Sequence, residues 1–183
     1  MKQALIIYES MYGDNEKVAY AIAQGLATQM RVDVMEVSSA PPRVDTSIDL
    51  LVVGGPTHMT RMSSEKSRSR AGNEVDEEEW EPLSETGVRE WLTRLRARGE
   101  MGRGAAAAFG TNLNEPRWVS KLGQASHAIA RRLKRLGFQM IEPPETFFVE
   151  EVQGPLSEGE VERAHRFGVQ LARHFAEAPR PHA

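Results

Sequence analysis

Residues 5–15 read Leu5-Ile6-Ile7-Tyr8-Glu9-Ser10-Met11-Tyr12-Gly13-Asp14-Asn15. The stretch opens within a continuous apolar run, Ala4 to Tyr8, which is typical of a parallel strand covered on both faces. From Asn15 onward, apolar residues recur at helical spacing, at Val18, Ile22 and Leu26. The chain therefore passes from a buried strand to a helix through a short polar turn, Glu9 to Asp14, which predicts an α/β unit.

This strand, turn and helix form a candidate phosphate site. Backbone N–H groups lack partners at a helix N-terminus, and the helix dipole favours an anion there. Ser10 and Asn15 add side-chain donors. The same arrangement also serves as the first turn of any α/β unit, so these residues alone leave both interpretations open. Asp14 argues against a phosphate, because its carboxylate would repel one unless it points away or caps the helix.

Length and composition favour one soluble domain. The 183 residues carry a formal net charge of −3, which gives no reason to expect a nucleic-acid partner. The sequence contains no cysteine, which excludes disulfides and thiolate catalysis. No apolar run approaches the ~20 residues of a membrane span, and the N-terminus lacks a signal-peptide pattern. We expect a cytoplasmic protein with no membrane partner, a domain over residues 1–177 and a C-terminal tail over 178–183.

Further strands are predicted in four places. Arg31 to Val37 alternates and suits an edge strand. Asp49 to Val53 forms a second buried strand through its apolar run, Leu50 to Val53, and leads into a loop, Gly54 to His58. Ala105 to Phe109 is assigned to a strand despite the helix propensity of alanine, because glycines flank it. The last strand is a bent edge strand, broken at its two prolines. It covers residues 138–141 and 146–149.

Helices are predicted between these strands. Val88, Trp91, Leu92 and Leu95 mark one helix, and a second has an apolar stripe opposed by a solvated basic face. Ser157-Glu158-Gly159-Glu160 matches a capping box before the final helix. This alternation predicts a five-stranded parallel sheet wound on both faces, with ligands beyond the carboxyl ends of its strands. The stripe of the second helix comprises Ala125, Ile129, Leu133 and Leu136.

A long charged segment follows the Gly54 to His58 loop. Residues 59–83 show no sustained periodicity, and basic residues precede a cluster of acidic ones. Loops of this length are usually functional or mobile, so a solvated excursion and a cofactor lid both remain open.

Two motifs resemble the flavodoxin-like family, and in particular small bacterial flavodoxin-domain proteins. They are the opening Tyr8 to Gly13 and the second loop, Gly54-Gly55-Pro56-Thr57-His58. The likeness continues through Gly154 to Glu160 into the last helix. It implies a flavodoxin-like fold with strand order 2-1-3-4-5.

The resemblance also implies one bound FMN. Its phosphate would lie on the first loop, held by Ser10, Gly13 and Asn15, and its ring between the second loop and a third loop, Gly110 to Trp118. Pro56, Thr57 and His58 would flank the ribityl and one ring edge, and Gly110 and Thr111 the other. Tyr12 and Asn15 stand where the family usually has Thr or Ser, and Asp14 stands where it usually has a neutral residue. Trp118 is a candidate for stacking on the ring. The implied cofactor-binding residues are Ser10, Met11, Tyr12, Gly13, Asp14, Asn15, Pro56, Thr57, His58, Gly110, Thr111 and Trp118.

Two functions are compatible with this pattern. In the first, FMN cycles between redox states and serves either a redox partner protein or NAD(P)H plus a small acceptor, without a catalytic side chain. In the second, the loop changes have abolished the flavin site and left a cofactor-free binding or regulatory domain. The five histidines show no paired metal-ligand spacing, and Ser10 lies in no Gly-x-Ser-x-Gly elbow. Metal and serine-hydrolase chemistry are therefore not expected.

Overall fold

A computed structural model describes residues 1–58, 61–62, 87–95, 104–114 and 124–177. Within these ranges we number the helices and strands in chain order. The helices are α1 (Asp14–Leu26), α2 (Val88–Arg94), α3 (Ala125–Arg135) and α4 (Glu160–Glu177), with a short 3-10 helix at Val37–Ser39. The strands are β1 (Gln3–Tyr8), β2 (Arg31–Glu36), β3 (Leu50–His58), β4 (Arg61–Met62), β5 (Ala105–Leu113), β6 (Gln139–Met140) and β7 (Glu145–Val149).

The strands form one sheet in the order β2-β1-β3-β5, and β6 and β7 share the edge of β5. All these pairings are parallel, whereas β4 pairs with β3 in antiparallel orientation. Strand β6 pairs with Ala105 and Ala106, and β7 pairs with residues 109–113. Together β6 and β7 form the predicted bent edge strand. The predicted parallel sheet of order 2-1-3-4-5 is confirmed.

Helices cover both faces of this sheet, as predicted. On one face α1 and α4 pack over a core that includes Ile6, Ile22 and Phe147. On the other face, α2 and α3 cover a core that includes Trp91 and Ile129. Strand β1 is buried on both faces because its continuous apolar run supplies side chains to both cores.

Two glycines bring α1 and α4 into backbone contact. A Cβ atom at Gly25 would lie 2.3 Å from the carbonyl oxygen of His165, and one at Gly168 would lie 2.2 Å from the carbonyl oxygen of Ile22. Real Cβ atoms do not approach so closely, so this helix crossing excludes any larger residue at either position.

The alanine-rich segment is a strand, as predicted, and its neighbours explain why. Ala106, Ala107 and Ala108 are fully buried between the two helical layers. Phe109, which follows them, places its ring against Gly54 of β3, where a Cβ atom would lie 2.0 Å from the ring carbon Cζ. Burial between layers and pairing with β3 therefore outweigh the helix propensity of alanine.

The sequence prediction ends strands β3 and β5 too early, and so starts the loops that follow them too early. Gly54 to His58 belongs to β3, and Gly110 to Leu113 belongs to β5. The two strands remain paired through Gly55 with Gly110, and then one residue further along each strand. Gly54 does not end β3, because the neighbouring strand β5 supplies the Phe109 ring that fills the space beside it.

The predicted capping box is also wrong. Helix α4 begins at Glu160 itself, so Glu160 is not three residues inside the helix. Its carboxylate Oε2 accepts a hydrogen bond from the Phe148 amide at 2.7 Å, and the Ser157 hydroxyl has no partner among the described residues. Glu160 thus joins α4 to the end of β7 instead of capping the helix.

The charged segment predicted at 59–83 coincides with described residues only at β4, which forms a two-residue return beside β3. Its remaining residues, Trp118 and the 178–183 tail lie outside the described residues. Among the described helices, none is long and apolar enough to cross a membrane.

Candidate functional site

The loop between β1 and α1 is compact and largely buried. Ser10 is fully buried, and its hydroxyl accepts a hydrogen bond from the Gly13 amide at 3.0 Å. Gly13 precedes α1 with φ of 91°, a conformation that L side chains rarely adopt. Met11 is buried, whereas Tyr12 and Gly13 are half-buried. Solvent therefore reaches this loop at its Tyr12–Gly13 turn.

The N-terminus of α1 offers several donors at this loop. The Lys17 amide is bonded to the Gly13 carbonyl at 3.1 Å, so the N–H groups of residues 14–16 precede the first bond of the helix and have no partner within it. The helix extends over 13 residues. Its dipole and its free N–H groups favour an anion at this end.

Asn15 connects this loop to the opposite side of the edge. Its side-chain Nδ2 donates to the Thr111 hydroxyl on β5 at 3.0 Å. Both residues are buried, and Oδ1 of Asn15 has no hydrogen-bond partner among the described residues. The structure thus brings together Asn15 and Thr111, which the sequence assigned to the phosphate end and to the ring edge.

The carboxylate of Asp14 lies against the turn at Gly154. Its Oδ1 accepts from Lys17 Nζ at 3.2 Å, and a Cβ atom at Gly154 would lie 2.3 Å from Oδ2. The N-cap residue of α1 is Gly13, which has no side chain to cap the helix, and Asp14 is the first helical residue. Asp14 was expected to tolerate a phosphate either by pointing away from it or by capping the helix. Capping is not observed, and Lys17 neutralises part of the charge of Asp14.

The ring-side residues are held by α3. Thr57 Oγ1 accepts a hydrogen bond from the Ala125 amide at 3.1 Å and so satisfies a donor at the start of α3. A Cβ atom at Gly110 would lie 3.0 Å from the Gly55 carbonyl oxygen and 3.1 Å from the Ser126 amide nitrogen. Gly110 therefore permits a close approach of α3 to the sheet. Pro56 is half-buried, and His58 ends β3.

Two polar features of this edge were missed by the sequence prediction. Glu9 is 1% exposed, and its carboxylate accepts from the Val88 amide at the start of α2 at 2.9 Å. Ser126 and Thr146 are hydrogen-bonded through their hydroxyls at 2.8 Å. The period of a strand offered a signal for Glu9, because residues 7 and 9 project to the same buried face.

The described part of the edge contains little acid–base chemistry. The Tyr8 hydroxyl donates to Glu16 Oε1 at 2.9 Å, and burial together with this hydrogen bond raises the pKa of Tyr8 well above its ordinary value. The phenol therefore stays protonated. No group of three metal-binding side chains occurs within the residues that the structure describes. The described arrangement is suited to binding an anionic ligand at the start of α1.

Comparisons with known proteins agree with this geometry. The sequence model of the family described as Flavodoxin matches residues 6–167. The fold is similar to that of a flavodoxin from the domain Archaea, at 16% identity and a TM-score of 0.63, with 95% of this chain and 99% of that chain covered. No curated protein matches the sequence.

Two further solved structures have the same fold. A flavodoxin, WrbA-like protein from Agrobacterium tumefaciens is 15% identical, with a TM-score of 0.59 and coverage of 98% of this chain and 100% of that one. Rubredoxin oxygen:oxidoreductase from Desulfovibrio gigas is 17% identical, with a TM-score of 0.61 and coverage of 97% of this chain but only 37% of that protein. The family model spans most of this chain, and the sheet has the order expected for it, so the chain belongs to the flavodoxin family and has a flavin-binding redox role.

Proposed function

We propose that the chain binds FMN and acts in the cytoplasm as an electron carrier or as an FMN-dependent reductase. The observation that carries this proposal is the buried loop Ser10–Asn15, which leads into a long helix whose first N–H groups have no partner in the helix. A loop that presents several amide donors to one point suits the phosphate of FMN.

The residues at this loop fit a phosphate. The amides of residues 14–16 supply backbone donors, and the left-handed Gly13 permits the tight turn before α1. Asn15 has one buried polar atom without a partner among the described residues, which leaves a place for a group from outside the chain. Asp14 is held by Lys17 and lies against Gly154, so its charge is partly compensated.

The bound FMN would supply one- and two-electron redox chemistry. The chain's own residues would bind and orient it. Ser10 fixes the loop through the Gly13 amide, and Thr57 fixes the start of α3 beside the ring-side edge. Pro56 and His58 lie in the last three residues of β3, and Gly110 lies in the second half of β5, where the resemblance places the ring.

Two routes for electrons remain within this proposal. In the first, a redox partner protein exchanges electrons with the flavin; in the second, NAD(P)H reduces it and a small acceptor reoxidises it. Mixing the FMN-loaded protein with NADH or NADPH without oxygen separates the two. Bleaching of the oxidised flavin band by either nucleotide indicates a reductase, and a stable band indicates a carrier that depends on a protein donor.

Binding itself is tested by incubating the purified protein with FMN and removing free flavin by gel filtration. We expect a flavin absorption band to co-elute with the protein, with quenched fluorescence and reversible reduction by dithionite. Elution without the band would contradict the proposal and favour the cofactor-free binding or regulatory domain.

A further inference from the structure

The side-chain amide of Asn15 has two polar ends, and the described part of the chain satisfies only one of them. Nδ2 is 3.0 Å from the Thr111 hydroxyl, whereas Oδ1 has no partner within the described part of the chain. Asn15 is only 3% exposed, so water has little access to it. Buried amide groups in proteins are normally paired, which points to a partner that the described residues do not supply.

The chemistry of that partner follows from the surroundings of Asn15. A half-turn about the Cβ–Cγ bond exchanges the amide nitrogen and oxygen without changing the shape of the side chain. With Oδ1 outward the missing partner is a donor, and with Nδ2 outward it is an acceptor. Asn15 lies in the first turn of α1, where the helix dipole and free N–H groups favour a negatively charged acceptor.

Thr111 is compatible with either orientation, because a hydroxyl both donates and accepts. With Nδ2 outward, the Thr111 hydroxyl donates to Oδ1 across the same 3.0 Å contact. Thr111 therefore anchors one end of the amide in either orientation, and an anionic ligand selects the orientation in which Nδ2 faces it. Thr111 itself is 6% exposed and belongs to β5, so the sheet holds it in place.

We propose that Thr111 is a positioning residue that holds the Asn15 amide in place through their hydrogen bond, so that the other end of the amide donates to the phosphate of FMN. This inference rests on the proposed function. It differs from the sequence expectation, which assigned Thr111 to the ring edge. Thr111 thus contributes to recognition of the phosphate through Asn15, although it lies on the strand that the sequence assigned to the ring.

The test compares FMN with riboflavin, which lacks the phosphate. We expect Thr111→Val, which keeps the shape and removes the hydroxyl, to lower the ratio of FMN to riboflavin affinity about tenfold, the size of one hydrogen bond to a charged group. Thr111→Ser should restore the wild-type ratio. Affinities are measured by quenching of flavin fluorescence.

The matched control is Thr146→Val. Thr146 is a buried threonine on the neighbouring strand β7, and its hydroxyl bonds to Ser126 and to Gln124 rather than to Asn15. It should leave the ratio unchanged even where it weakens both flavins. A wild-type ratio in Thr111→Val, or equal losses of ratio in both valine variants, would overturn the inference.

A second readout uses the wild-type protein. The side-chain amide proton resonances of Asn15 should shift on addition of FMN and not on addition of riboflavin, and no FMN-specific shift would overturn the inference. If Thr111→Val does not fold, Thr111→Ala carries the same prediction. Failure of the proposed function is distinguishable, because wild-type protein would then bind neither flavin.

Discussion

The α1–α4 interface and the carboxyl edge of the sheet differ in packing and in hydrogen bonding. At the interface, Gly25 and Gly168 place backbone against backbone and leave no room for a single added carbon. At the edge, Asn15 and Thr111 are buried polar residues, and one amide oxygen has no partner in the described chain. The interface therefore has no room for a larger side chain, whereas the edge retains a buried polar atom that a ligand can bind.

This difference indicates that the interface mainly contributes to stability and that the edge mainly contributes to ligand recognition. Close packing contributes to folding free energy, and a buried unpaired polar group reduces it until a ligand supplies the partner. Substitutions at the interface should therefore change stability without changing which flavin is preferred. Substitutions of the polar pair Asn15 and Thr111 should do the reverse.

The largest effect is expected for Gly168→Ala. Its Cβ would lie 2.2 Å from the Ile22 carbonyl oxygen, so α1 and α4 must move apart. We expect the free energy of unfolding to fall by about 3 kcal/mol, measured by urea denaturation. The control is Gly137→Ala, where no atom lies within 4 Å of the added carbon and only the left-handed φ of 90° opposes alanine. That control should cost about 1 kcal/mol, and equal losses in both variants would contradict the interface account.

Gly54→Ala should have the next largest effect. The added carbon would lie 2.0 Å from the Phe109 ring, which is itself buried against Phe147. We expect a loss of about 2 kcal/mol in unfolding free energy. Phe109→Leu in the same chain should recover part of this loss, and a double variant that is merely additive would show that the ring is not the obstacle.

Asn15→Leu tests the edge with a side chain of similar shape. We expect FMN affinity to fall about tenfold, or ~1.4 kcal/mol, with riboflavin affinity unchanged. The unfolding free energy without ligand should stay within about 1 kcal/mol of wild type, because loss of the Thr111 hydrogen bond is offset by removal of the unpaired oxygen. Fluorescence titrations and urea denaturation measure the two quantities. A large loss of stability with unchanged FMN preference would place Asn15 on the structural side of the comparison.

The smallest effect is expected for Asp14→Asn. Because Lys17 pairs with Asp14 at 3.2 Å, removal of the charge should tighten FMN at low salt by only about threefold, or ~0.6 kcal/mol. The gain should shrink as salt rises, and riboflavin should not respond. A tenfold gain, the size that an unpaired carboxylate about 5 Å from the phosphate predicts, would mean that Lys17 compensates little. Weaker FMN binding would mean that Asp14 shapes the loop.

Local patterns were sufficient to predict most of the fold. The continuous run Ala4 to Tyr8 predicted β1 because a strand covered on both faces needs apolar residues at every position. The end of β3 could not be predicted in the same way. Whether Gly54 ends a strand depends on Phe109, a residue of another strand that fills the space above it.

The site was predicted as a set of loops and not as a set of contacts. Ser10 and Gly13 are three positions apart, so their hydrogen bond follows from the local turn. Asn15 and Thr111 are separated by 96 positions, and their hydrogen bond depends on how the start of α1 lies relative to β5 in the folded protein. Thr57 likewise accepts a hydrogen bond from the first amide of α3, and no local pattern around residue 57 indicates this contact.

The central claim is that the edge recognises a phosphate, and parallel titrations of the wild-type protein with FMN and riboflavin test it most directly. At low salt we predict that FMN binds at least about tenfold more tightly, and that higher salt narrows the difference because the phosphate is charged. Equal affinities for the two flavins at both salt concentrations would contradict the assignment of the Ser10–Asn15 loop as a phosphate site.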